Sequence, residues 1–322
     1  MKQKILSILN DNQGTYISGE QISKQLNTSR MNVSKYVKKL IADGYEIHSS
    51  TRKGYLLANH NDVLIIDEIQ NQLPSFYHTI HIQQSIDSTN DTLKQIAYNQ
   101  KEGYVLISDE QTRGKGRNGR SFTSTKQKGI YMSILLKPSI TIYEALKLTA
   151  CASVAVYEAI DKVYHISSGI KWVNDIFIEN KKIGGILCEA SLEMNTANMD
   201  YMIVGIGLNV HSQKFDKELH EIAASIEDFT SLKQKRNLLI HQILQSFYKY
   251  YNELTHNTFL PIYKQHSIII DQDIVVHEQD NTYPAHVLDI DENANLIIKK
   301  VDGTIHTLNS GEVSIRRIDN NT

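Results

Sequence analysis

Residues 112–120 read TRGKGRNGR, three glycines and four cations in nine positions with no apolar side chain to bury. Gly114, Gly116 and Gly119 let backbone N–H groups turn toward one point, and Arg113, Lys115, Arg117 and Arg120 add positive charge. That pairing suits an anion such as a phosphate. It is not a Walker A loop, which needs four residues between its glycines and a Gly-Lys-Ser/Thr ending. Taken alone, the nine residues fit a solvated surface loop or an RGG-like RNA contact equally well. Two further stretches bear on the choice. KWVNDIFIENKKIGGILCE (171–189) puts Lys171, Asn174, Asp175 and Lys182 around a turn between apolar strands, where charges rarely sit without a partner or ligand. YMIVGIGLNV (201–210) carries Gly205 and Gly207, expected to keep that strand's surface open to a ligand. The thirteen histidines show no ligand spacing, and His165, His211 and His220 are expected to be unremarkable.

These residues need elements to position them. YVLISDEQ before the glycine-rich stretch and GIYMSILLKP after it read as strands, so the stretch is a long crossing between two strands. Residues 171–189 read as strand, tight polar turn and strand, and 201–210 as a third apolar strand. At the other end of the chain, Ile5, Leu6, Ile8 and Leu9 form a helical stripe, and Ser18-Gly-Glu-Gln21 matches a capping box that opens a second helix. Thr28 or Ser29 can cap a third helix with Val33, Val37, Leu40 and Ile41 inward and Gly44 at its end. YEIHSSTRKGYLL then reads as two short strands around a polar turn. Three helices and a hairpin resemble a winged helix-turn-helix. In that arrangement Ser29, Arg30, Asn32, Ser34, Lys35, Lys38 and Lys39 lie on the outward side of the third helix, and Arg52 and Lys53 on the wing. A solvated basic face on a small protein-binding domain is the alternative; capping box, spacing and wing together favour DNA. Polar NHND (59–62) marks a domain boundary.

The 322 residues leave room for two or three domains. The net charge of −2 conceals an asymmetry: residues 1–60 carry nine Lys or Arg against four acids. Cys151 and Cys188 have no CxxC spacing and are expected to be core residues. The stretch MKQKILSILNDNQ lacks the features of a signal peptide, and no apolar run approaches a membrane span, so a cytoplasmic chain without a membrane partner is expected.

Five ordered motifs resemble one family, the bifunctional bacterial biotin protein ligases that also repress transcription. They are SIDSTN (85–90), EQTRGKGRNGR (110–120), KWVNDIFIENKKIGGIL (171–187), VGIGLNV (204–210) and the ending GEVSIRRI (311–318). The resemblance implies an α+β chain in three parts. These are a winged helix at 1–62, a mixed α/β sheet domain of class II synthetase type at 63–266, and a small SH3-like barrel at 267–322. It implies that biotin and ATP form biotinyl-5′-adenylate with Mg²⁺, and that a lysine of a biotin carboxyl-carrier domain then takes the acyl group. With the adenylate bound, a homodimer would bind operator DNA.

The resemblance also assigns roles. Lys182 would bridge the biotin carboxylate and the phosphate, with Arg117 stabilising the same charge. The neighbouring Lys181 should point to the opposite face, so only one of the two can serve. Ser88, Thr89, Asn90 and Gln111 would meet biotin; Lys115, Gly116 and Gly185 would line the adenylate. Phe122, Asn174, Asp175, Gly205, Gly207 and Asn209 would form the nucleotide side, with Asp175 organising cations or Mg²⁺. Arg316 is either a phosphate contact or a surface residue. The loop is expected to lack order when empty, since nothing in it packs unaided. Three departures from the family pattern stand out. Val173 replaces proline, which should loosen the end of the strand; Phe122 replaces tryptophan; Lys115 replaces arginine. A ligand-sensing transcription factor without ligase activity, and a lipoate ligase, are the alternatives.

Overall fold

The computed structural model describes residues 1–58, 62–141, 144–192, 199–233, 236–278 and 281–315. The chain divides into two compact units, Met1–Ile65 and Ile66–Thr322.

In the first unit, α1 (Lys2–Asp11), α2 (Gly19–Gln25) and α3 (Arg30–Ala42) precede a hairpin of β1 (Ile47–Ser50) and β2 (Gly54–Leu57). The capping box forms: Gln21 N donates to Ser18 Oγ and Ser18 N to Gln21 Oε1. Ser29, and not Thr28, caps α3 by accepting from Asn32 N. Ile5, Leu9, Ile22, Val33, Val37 and Leu40 close a small core. Ile41, expected inward, is 43% exposed. It stands one step of about 100° beyond Leu40, outside the arc that α1 and α2 cover.

The second unit runs α4 (Ile66–Gln70), β3 (Thr79–Gln83), α5 (Thr89–Ile96), β4 (Tyr104–Ser108), β5 (Gly129–Leu136), α6 (Ala145–Tyr164), β6 (Gly169–Lys171), β7 (Asp175–Ile178), β8 (Lys181–Leu192) and β9 (Met199–Asn209). Next come α7 (Lys217–His220), α8 (Arg236–Asn252), α9 (Leu260–Gln265) and β10 (Asp273–Glu278), β11 (Asn281–Ile290), β12 (Leu296–Lys300), β13 (Ile305–Leu308) and β14 (Glu312–Ile315). Strands β3 to β9 form a seven-stranded mixed sheet in the order β3-β4-β5-β9-β8-β7-β6, parallel only between β3 and β4. The mostly buried α6 packs on β8, β9 and α8. Leu93 and Ala97 of the α5 region sit on Leu106, Leu135, Tyr201 and Ile203. Period-two alternation continues that odd-numbered side of β9 from Tyr201 and Ile203 into Gly205, Gly207 and Asn209.

The last five strands form a separate antiparallel sheet in the order β13-β12-β11-β10-β14. Among the described residues its two outer strands do not pair, so the sheet is open. Its buried side chains, among them Ile274, Val276, Val287, Leu296, Ile298 and Val313, alternate along the strands. Among the described residues no helix is long and apolar enough to cross a membrane.

Candidate functional site

A cavity of about 280 Å³ opens where the odd face of β9 meets the N-terminus of α5, the β7–β8 hairpin and the loop between β4 and β5. One wall is the start of α5. Ser88 caps that helix by accepting from Asp91 N, and it also lines the cavity. Asn90 is spent on protein: its amide donates to Leu187 O and Glu189 Oε2, and its carbonyl accepts from Ser133 Oγ at 2.6 Å. Gln111 accepts from the backbone N–H and the hydroxyl of Thr89 and donates to Ser124 Oγ at 2.8 Å. Both amides therefore frame the wall and hold its shape.

Gly205 and Gly207 line the floor of the cavity, and each also makes room for a protein side chain. A Cβ at Gly205 would meet Asn90 Oδ1 at 2.3 Å, and one at Gly207 the Phe122 ring at 2.8 Å. These glycines admit two protein side chains, and Phe122, edge-on to Tyr131, covers the sheet from the loop side. Asn209, 5% exposed at the far end, donates to Ala224 O and accepts from Gln213.

The hairpin supplies the charges. Lys182 Nζ lies 2.7 Å from Asp175 Oδ1, an ion pair that holds the ammonium beside Gly185, where a Cβ would come within 3.6 Å of Lys182 Cε. A change of register puts it there. Gly184 faces Ile176, yet Lys182 faces Phe177, so β8 carries one residue more than β7 across this step and Ile183 bulges. Uninterrupted alternation from Gly185 would have brought Lys181 to the cavity side; the bulge turns Lys182 there in its place. Lys181 instead donates to His220 O and Glu221 O.

Lys171 lines the same side, with its ammonium 5.8 Å from the centre of the Phe177 ring. Burial lowers its pKa below the ordinary lysine range, against the pull of Asp175. Asn174 donates to Ile186 O. The strand end at Val173 is held firmly: Trp172 Nε1 donates to Ala294 O and the Tyr263 hydroxyl to Val173 O, both at 2.9 Å. These two buried bonds tie the strand end down where valine stands in place of the expected proline.

The loop is bonded at several points along its length. Arg113 pairs with Asp87, and Lys115 Nζ lies 2.6 Å from Asp91 Oδ2, which raises the lysine's pKa. Gly116 lines the cavity, has room for a Cβ, which would come no nearer than 3.6 Å to Arg120 O, and donates its N–H to Arg120 O at 2.7 Å. Arg117 donates to Asn174 Oδ1 at 3.2 Å and to Gly311 O at 3.1 Å. Arg120 pairs with Glu312 at 2.9 Å. The C-terminal sheet thus grips the loop just before and at the start of β14. Arg316 lies outside the described residues.

Sequence reasoning gave no role to four contributors. Glu312 lies in the GEVSIRRI ending, of which only Arg316 was given a role. Trp172 and Lys171 were visible in KWVND but received no role. Arg236 in α8, fully buried, lies 2.8 Å from Asp109 Oδ1 and donates to Gly129 O at 2.9 Å. It pins both feet of the long crossing, and nothing in the apolar pattern around it signals a buried charge. Cys151 is buried; Cys188 is half-buried, its thiol pushed up to about 12 by desolvation, and neither is in a disulfide.

In the first unit, Arg30, Lys35, Lys38, Lys39, Arg52 and Lys53 are all exposed, while Asn32 and Ser34 are half-buried. Asn32 turns its amide back to Thr28 Oγ1. Lys39 and Lys53 each lie 5.6 Å from a tyrosine ring centre, Tyr36 and Tyr16.

The chain thus carries a cation-lined cavity in a glycine-floored sheet and a unit of three helices and a hairpin. Residues 82–209 match the biotin/lipoate A/B protein ligase family, and residues 2–56 match an HTH domain. The chain is 32% identical over 311 residues to the bifunctional ligase/repressor BirA of Bacillus spizizenii, covering 94% of this chain and 95% of that one. It is 31% identical to the protein of the same name from Bacillus subtilis, with 94% and 95% covered. A solved biotin protein ligase from Aquifex aeolicus, in complex with biotin and ATP, superposes with a TM-score of 0.64 at 26% identity, covering 74% of this chain and 99% of that one. The chain belongs to the bifunctional biotin ligase/repressor family.

Proposed function

We propose that this protein activates biotin with ATP and passes it to a lysine of a biotin carboxyl-carrier domain, and that, carrying the adenylate, it represses biotin genes as a homodimer on operator DNA. The observation that carries the reading is the convergence of Lys182 and Arg117 on one cavity with a polar wall. A biotin carboxylate oxygen attacks the α-phosphorus of ATP and pyrophosphate leaves; the carrier lysine then attacks the acyl carbon and AMP leaves. The first step brings two anions together, so fixed positive charge is the main requirement. Lys182, oriented by Asp175, supplies it from the hairpin, and Arg117, oriented by Asn174 and Gly311 O, from the loop.

Among the described residues no cluster of three His, Cys, Asp or Glu could hold a metal. Asp175 lines the cavity and pairs with Lys182. One carboxylate plus substrate phosphates fits the habit of Mg²⁺, which would supply Lewis-acid charge on the triphosphate. We place the division between sheet domain and C-terminal module near residue 267 and the first boundary near 62, read the open five-stranded sheet as an SH3-like barrel, and assign the protein to the cytoplasm.

Incubation with ATP, Mg²⁺ and labelled biotin or lipoate, followed by isolation of the acyl-adenylate, tests the reading. Biotinyl-adenylate and biotinylated carrier are expected. Lipoyl-adenylate alone would move the protein to the other branch of its family, and no adenylate at all would leave a ligand sensor.

A further inference from the structure

The apolar side of α3 is complete without Met31. Val33, Val37 and Leu40 are buried, whereas Met31 is 84% exposed, the most exposed large apolar side chain among the described residues. At about 100° per residue, Met31, Lys35, Lys38 and Ala42 fall on the side opposite that core, and all four are exposed. An unbranched thioether therefore stands in the middle of a cationic helix face, two residues beyond the Ser29 cap. The first turn of the second motif helix is the part that reaches base edges in a helix-turn-helix. Lys35 and Lys38 provide charge for phosphates, which carries no sequence information. Asn32, the residue in that turn best suited to reading adenine, bonds to Thr28 at 2.9 Å. Among base edges in the major groove, the apolar feature is the 5-methyl group of thymine, and methionine is the side chain that best adapts to an apolar spot of unfixed shape.

We propose that Met31 is a base-reading residue, packing its side chain on the 5-methyl group of a thymine in each half-site of the DNA this protein binds. The proposal rests on the DNA-binding reading given above. It adds a preference that the lysines around Met31 cannot supply.

The full-length protein, with biotin, ATP and Mg²⁺, is used to enrich duplexes from a pool with a randomised core. Each thymine of the enriched duplex is then replaced in turn by deoxyuridine, which lacks only the methyl group. At one thymine per half-site the wild type should lose roughly three- to tenfold in affinity. Met31→Ala, a surface change to the best helix former, should bind both duplexes equally. Lys35→Ala should weaken both by the same factor and keep the thymine preference. The proposal is overturned if no thymine-to-deoxyuridine replacement weakens the wild type, or if Met31→Ala keeps the full penalty. A pool that yields no enriched duplex sinks the DNA-binding reading and this proposal with it; binding that ignores the methyl group sinks the proposal alone.

Discussion

The cavity and the outward side of α3 both carry cations, but they hold them differently. Around the cavity Lys182, Lys115 and Arg117 are each bonded to a named group, respectively Asp175, Asp91, and Asn174 with Gly311 O. On α3, Lys35 and Lys38 project into solvent and have no ion-pair partner among the described residues. The difference follows from the two tasks. A transition state whose charge moves over a fraction of a bond length needs donors already in place. A DNA backbone needs charge density, and long mobile side chains deliver it by displacing counterions.

The comparison can be broken at either end. The largest effect is expected from Lys182→Ala, which should slow pyrophosphate release on biotin activation by about 10²- to 10³-fold; a wild-type burst of pyrophosphate would remove the lysine from the chemistry. Arg117→Ala loses the loop's bonds to Asn174 and to Gly311 O, so preformed labelled adenylate should dissociate roughly tenfold faster or more, read by filter retention. Lys35→Ala should lower the slope of log affinity against log salt by about 0.9 per protomer; an unchanged slope would mean that α3 does not meet phosphates. Ser29→Ala removes the cap of α3 and should destabilise the first unit by about 1 kcal/mol, measured by denaturant unfolding.

The smallest effect is a pH dependence. Burial lowers the pKa of Lys171, so the folded chain binds that proton less tightly than the unfolded one. The charge therefore costs stability below the folded pKa, and the cost fades as pH rises through the ordinary lysine range. Lys171→Met should be the more stable protein at neutral pH and lose its advantage in alkali, as followed by thermal unfolding across that range. An advantage independent of pH would place the effect in packing.

Much of the local structure was legible because it follows from neighbours in the chain. The Ser18–Gln21 capping box, the Val33, Val37 and Leu40 stripe and the polar turn between β7 and β8 depend on interactions within a few residues. Functions assigned to single side chains were less legible. Asn90 and Gln111 belong to the cavity wall, and their amides bond to Ser133, Leu187, Glu189, Thr89 and Ser124, partners 13 to 99 positions away that no short pattern contains. Glu312 reaches Arg120 across 192 positions for the same reason.

Composition and spacing determined by themselves that a cationic glycine-rich crossing joins two apolar strands, that a polar hairpin carries its charges close by, and that a basic helical head precedes both. Period-two geometry also dictated that only one of Lys181 and Lys182 could face the cavity. Which one was decided in three dimensions, by the extra residue at Ile183 that reverses the alternation of β8 against β7. Burial of Arg236 beneath both feet of the loop was decided there too. Both outcomes depend on register and on contacts between distant segments, whose free energy appears only once the sheet has assembled, and hence leave no periodic trace in the chain.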